Sequence, residues 1–258
     1  MRVWFLRGVR KVWLLRGAAF QGGHAGILAG IFSFCGFYFL LASPVWAAQS
    51  GLEMARDRQD RIALEKIAEQ AGAEEQKADN DAAAHYRAAI AYSDLAEVAQ
   101  EQRDKAAVKR AAEAGIRSAE RAVTLKPDVA EYRRILGTLY GQIVPVNALL
   151  GLSYGKKAQD SIAKAIELDP KSSAAYVSRG VGNYYVPSGL GGGLDLAIRD
   201  FQKAIELNPK SDEAYLWLGL AMRKANRNAE ARKAFSKSLE LNPNRVWTKQ
   251  QLDKTPAN

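Results

Sequence analysis

Three segments in the C-terminal half of the chain end alike: Ala165-Ile166-Glu167-Leu168-Asp169-Pro170, Ala204-Ile205-Glu206-Leu207-Asn208-Pro209 and Ser238-Leu239-Glu240-Leu241-Asn242-Pro243. The last two prolines lie 243 − 209 = 34 residues apart. A fixed period constrains the fold more than composition does, because each unit must bury its apolar face against the next. Pro127 extends the series backwards with wider intervals, 170 − 127 = 43 and 209 − 170 = 39 residues.

The positions between the prolines repeat as well. In the last unit Tyr215, Leu218, Gly219 and Met222 precede Ala231, Phe235, Ser238 and Pro243. The unit before it carries Tyr176, Gly180, Ala197, Phe201, Ala204 and Pro209, with Arg179 where the pattern asks for Leu. Leu136, Gly137, Tyr140, Ala158, Ile162, Ala165 and Pro170 give a third. Ala88, Ala89, Tyr92, Gly115, Ala119, Ala122 and Pro127 give a fourth. In period and residue types this resembles the tetratricopeptide repeat, a helix–turn–helix unit. The resemblance implies an all-α solenoid over 81–258 of about four units: 81–127, 128–170, 171–209 and 210–243. Residues 48–80 then form a helical cap or linker, and 244–252, with Val246, Trp247 and Leu252, a C-terminal capping helix.

Departures from the period locate insertions. Asp94 to Ala114 is rich in Ala, Glu, Gln, Lys and Arg and contains no Pro or internal Gly. It predicts two helices, each about two turns longer than the others, meeting near Arg103-Asp104. The nine extra residues near Gly141 to Gly151 and the five near Tyr185 to Gly193 contain Val144-Pro145 and Val186-Pro187-Ser188-Gly189. Both read as loops.

The first fifty residues differ in kind. Arg2, Arg7, Arg10, Lys11 and Arg16 come without an acidic residue, an apolar run covers Ala25 to Ala42, and Val45 and Ala47 suit a cut after Ala47. This predicts a secretory signal peptide over 1–47, with a retained membrane anchor as the alternative. The expected location is exported, periplasmic or extracellular, with membrane contact only through an uncleaved leader. Five of the nine net positive charges lie there, leaving +4 on the remainder. With basic residues alternating with acidic ones along the helices, nucleic-acid binding is not expected. The one cysteine, Cys35, is also in the leader.

Catalytic chemistry has little to work with. After the leader His85 is the only histidine, at a helix-packing place, and reads as structural. No cysteine–histidine pair or cysteine zinc site can form, and neither a metal nor a cofactor is expected. The glycine run Gly189-Leu190-Gly191-Gly192-Gly193 is followed by Leu194-Asp195, not the Lys-Ser/Thr of a phosphate loop.

Binding is the remaining class. The resemblance places the groove on first-helix positions: Tyr86, Ile90 and Asp94; Glu131, Arg134 and Thr138; Val177, Val181, Tyr184 and Tyr185; Leu216, Leu220, Arg223 and Lys224. The site residues expected from this set are Tyr86, Arg134, Tyr184, Tyr185, Arg223 and Lys224. Pro187, Gly191, Gly192 and Gly193 would form a lip, and the Arg223/Lys224 pair could hold a carboxylate but reads first as solvated charge. The function implied is a non-catalytic scaffold of the cell envelope that takes a peptide or protein partner. The alternative is a ligand-binding accessory of a solute transporter, since Tyr-Tyr-x-Pro before a glycine cluster resembles periplasmic tetratricopeptide proteins of that kind.

Overall fold

In the computed structural model, which describes residues 44–146 and 148–257, the repeated Asx-Pro signature is a device for reversing the chain. The carboxylate or amide of Asp169, Asn208 and Asn242 accepts the backbone N–H two residues on, at 3.0, 3.1 and 3.2 Å. The proline between cannot donate or continue the preceding helix. Two residues after the proline, Ser172 and Ser211 cap the next helix by accepting from Ala175 and Ala214. The same place after Pro243 holds Arg245, which makes no capping bond.

Eleven α-helices follow from these signals among the described residues: α1 Pro44–Asp57, α2 Arg61–Lys77, α3 Ala82–Glu101, α4 Lys105–Leu125, α5 Ala130–Ile143, α6 Ala148–Leu168, α7 Ser173–Tyr185, α8 Leu194–Leu207, α9 Asp212–Lys224, α10 Asn228–Leu241 and α11 Val246–Asp253. No strand occurs among those residues. No helix there is long and apolar enough to cross a membrane. The leader proposed for 1–47 lies outside the described residues up to 43. Its expected cut, after Ala47, falls in the first turn of α1.

Consecutive helices pair as hairpins, and each hairpin stacks on the next through its second helix. This is the all-α repeat solenoid, and its core follows the repeat. Phe201 and Phe235 are wholly buried, as are Ala197, Ala204 and Ala231. A Cβ on Gly219 would stand 2.6 Å from the Phe235 ring and one on Gly180 2.5 Å from Phe201, so the first helix can lie on the aromatic ring only with glycine there. Arg179, which replaces the expected Leu, reaches Asp200 with Nε at 3.1 Å and Nη2 at 2.6 Å. Asn183 donates to the same carboxylate at 2.9 Å. A charged clamp thus replaces an apolar contact.

Three features depart from expectation or refine it. The 48–80 segment, expected as a helical cap or linker, contains most of a helical hairpin, α1/α2. Its corner repeats those of α3/α4 and α9/α10, with Gln59, Arg103 and Asn226 each left-handed at φ 55°, 62° and 61°. The insertion at 141–151 is not a loop. One 3-10 turn at Val144–Val146 takes up part, and the remainder lengthens α6 to 21 residues against 14 for α10. In the first unit α3 and α4 run 20 and 21 residues against 13 and 14 for α9 and α10, two turns longer each.

Gly219→Leu should therefore overpack the α9–α10 contact and cost on the order of 1–3 kcal/mol. Lys249→Ala, an exposed position, should stay within about 0.5 kcal/mol. Urea unfolding of both variants checks this, and equal midpoints would refute the assignment of Gly219 to the crossing.

Candidate functional site: a groove closed into a chamber

The extra turns of α3 carry Glu97, Gln100 and Glu101 across the concave side to the far end of the solenoid. There Arg245, 3 % exposed, donates from Nη2 to Glu97 at 2.5 Å and to Glu101, and from Nη1 to the Arg56 carbonyl at 3.1 Å. Asn242 donates to Asp57 at 2.8 Å and Gln250 to Gln59 at 3.1 Å. Gln100 donates to the Tyr185 hydroxyl at 3.1 Å. The first hairpin thus meets the last helix, and the groove becomes a chamber of about 1930 Å³ that stays partly open to solvent.

One wall is aromatic. Tyr184 and Tyr185 stand edge to face with ring centres 5.0 Å apart; Trp217 lies 5.8 Å from Tyr184, 6.3 Å from Tyr185 and 5.7 Å from Trp247. Trp217 and Trp247 are therefore part of the wall, Trp247 from the C-terminal capping helix. Tyr185 is the most open, 47 % exposed. Burial and the charges of its neighbours push the pKa of its hydroxyl up to about 12, so it is a neutral donor at any physiological pH.

The opposite wall is charged. Tyr86 donates to Glu131 at 2.9 Å, and Arg134 grips the same carboxylate at 2.8 and 2.5 Å. Burial works against that carboxylate, yet these donors hold it below its ordinary range. Asp94 makes no hydrogen bond or ion pair among the described residues. Burial and the nearby carboxylates of Glu97 and Glu213 lift its pKa to about 7 despite Arg56. Burial likewise raises Glu101, whereas Glu213, in the first turn of α9, is exposed.

The residues picked out from the sequence are thus distributed unevenly. Tyr86, Arg134, Tyr184, Tyr185, Arg223 and Gly191 line the chamber. Lys224 does not: its Nζ donates to the Tyr184 carbonyl at 2.8 Å and lies 4.2 Å over that ring. Arg223 is bound to the Gln251 carbonyl and side chain at 3.1 and 2.7 Å. Both cations are thus engaged by groups of the protein itself. Pro187, Gly192 and Gly193 shape the loop without lining the chamber. A Cβ on Gly192 would fall against the Val186 carbonyl, and the Gly193 N–H returns to Asn183 at 2.9 Å.

His85 bridges Glu75 and the Asp79 carbonyl, each at 3.0 Å, and pins the α2–α3 turn. The described residues contain no cluster of side chains able to hold a metal. The residue that sequence reasoning missed was Arg245. Its signal was an arginine two residues after Pro243, where the two preceding units carry a capping serine.

Comparison with known proteins agrees with this architecture. Residues 52–188, just over half the chain, match the family described as Regulator of microtubule dynamics protein 1-3, and residues 191–246 match the tetratricopeptide repeat. A solved thermophilic TPR protein from Thermus thermophilus superposes with TM-score 0.55 at 19% identity, covering 80% of this chain and 97% of that one. The first TPR of Spaghetti (RPAP3), solved bound to the HSP90 peptide SRMEEVD, gives 0.40 at 23% identity over 48% of this chain and 90% of that one. PilF of Pseudomonas aeruginosa gives 0.43 at 19% identity over 66% and 68%. No curated protein matches.

Removing the cation at the clasp should leave Glu97 and Glu101 buried without a counter-ion. Arg245→Gln should cost about 3–5 kcal/mol, the range for breaking a buried pair from one side. The loss should concentrate where the ends meet. Hydrogen exchange should rise in α1 and α11 while α9 and α10 stay protected, and uniform protection would refute the clasp.

Proposed function

We propose, for a chain that belongs to the Regulator of microtubule dynamics protein 1-3 family, that it is a non-catalytic interaction scaffold whose chamber takes a segment of a partner polypeptide. Tetratricopeptide proteins are in general protein-interaction scaffolds, and a non-catalytic role is typical of the fold. The observation that carries the reading is the chamber: about 1930 Å³, with a half-exposed tyrosine on an aromatic wall. Small-molecule sites span about 300–1,000 Å³, so one small solute would leave this space largely filled with water. An extended segment or a helix fills it and places side chains on both walls.

The proposal includes export. A basic start, an apolar run and small residues before Ala48 describe a cleaved leader, and the scaffold then works in the periplasm or outside the cell. N-terminal sequencing of the cell-associated protein should begin at Ala48; an intact Met1 would reject cleavage.

Tyr185→Ala should abolish capture of the partner from an envelope extract while helicity remains unchanged. A truncated aromatic anchor costs about 2 kcal/mol or more, roughly a thirtyfold loss of affinity. Tyr185 is the suitable position because Tyr184 also packs under Lys224 and its loss would be partly structural. Capture equal to wild type, measured well below both melting points, would reject the chamber as the binding surface.

A further inference from the structure

The aromatic wall carries hydrogen-bond donors that the protein leaves unused. Trp217 is 7 % exposed and lines the chamber, and its indole N–H meets no acceptor among the described residues. The indole N–H of Trp247 and the hydroxyl of Tyr184 are likewise without a partner there. The Tyr185 oxygen accepts from Gln100, which leaves its own proton to be donated. No fully buried side-chain nitrogen or oxygen among the described residues lacks a partner, so these unused donors lie where solvent or a ligand reaches them. Charge plays no comparable part. Acidic and basic side chains line the chamber in equal number among the described residues. The cations beside the rings are engaged: Lys224 by the Tyr184 carbonyl, Arg223 by Gln251, and Arg245 by Glu97 and Glu101. At the rim Leu190, 74 % exposed, stands on the 3-10 turn that follows Tyr185.

A wall of rings and donors without net charge selects among backbone forms. A helix bonds its carbonyls internally and leaves few for the wall. A strand needs an edge that both donates and accepts, and no strand occurs among the described residues to supply one. A polyproline II helix keeps its carbonyls free, and its prolines bring no N–H that would need an acceptor. Pyrrolidine rings are apolar and already rigid, so they pack on aromatic faces at small entropic cost. The pairs Tyr184–Tyr185, Tyr184–Trp217 and Trp217–Trp247 meet at 89°, 69° and 68°, which makes the wall ridged and not flat.

We infer that the partner segment is uncharged and proline-rich, held as a polyproline II helix with its rings on Tyr184, Tyr185, Trp217 and Trp247 and its carbonyls on their O–H and N–H groups. This rests on the scaffold reading and specifies its partner's chemistry. The complementarity is electrostatic without being ionic, since the positive ends of O–H and N–H dipoles meet carbonyl oxygens. Leu190 extends the apolar surface to the rim, where an exposed aliphatic side chain gains from being covered.

The test uses the full-length chain and four pools of short labelled peptides of equal length: uncharged and proline-rich, uncharged and helix-forming, acidic, and basic. The proline-rich pool should bind best by fluorescence anisotropy, with affinity nearly constant as salt is raised from about 0.05 to about 0.5 M. Tyr184→Phe keeps the ring and removes a hydroxyl that has no partner in the protein, so its melting point should match wild type. Its affinity for the proline-rich pool should fall about threefold to tenfold, and Trp217→Phe should lower it further. Circular dichroism verifies the fold of both variants. Preference for another pool, a steep salt dependence, or wild-type affinity in Tyr184→Phe/Trp217→Phe overturns the inference and leaves the scaffold reading in place. Failure of every pool to bind also overturns it, and the scaffold reading is then decided separately by capture from an envelope extract with Tyr185→Ala.

Discussion

Burying a guanidinium costs several kcal/mol unless carboxylates and carbonyls enclose it, and Arg245 meets that condition only because distant parts of the chain converge on it. Glu97 and Glu101 come from the extension of α3, and the Arg56 carbonyl comes from the end of α1. Remove either and the cation is stranded; remove the cation and two acids are. The arrangement fixes how far the solenoid curls, which nearest-neighbour packing between repeats leaves to small accumulated rotations.

The lengthened first unit acquires a reason in this light. The two added turns of α3 and α4 pack on one another, Ala99 against Ala107 and Val108, with Val146 beside them. Here the extension of α3 crosses the groove: Gln100 reaches Tyr185, and Glu97 and Glu101 reach Arg245. The groove of an open solenoid thereby gains a fourth side. Asp94, on the same helix, lines this chamber, and burial raises its pKa.

How much of this was legible in the sequence follows from the range of each interaction. Helix hairpins are local, and the prolines, the capping serines and the Gly219–Phe235 crossing all lie within one period, so the repeat and its core could be read directly. The length of α3 and α4 was legible for the same reason, from the wide Tyr92-to-Gly115 spacing and the helix-forming composition between. The site was only half legible. Groove-facing positions could be counted, which identified Tyr86, Arg134, Tyr184 and Tyr185. Whether a charge there is available could not, because its partner lies in another repeat: Arg223 is taken by Gln251, Lys224 by the Tyr184 carbonyl. Arg245 was visible as a broken pattern, but its acids lie 144 and 148 residues away. The 141–151 insertion misleads because Pro145 and two glycines read as loop signals, whereas Gly141 sits inside α5 and Gly151 inside α6.

The clasp and the two unpaired acids beside it are linked through charge. Glu97 bears on Arg245, Asp94 and Glu213 together, so its negative charge stabilises the closed chamber and destabilises the acids within it.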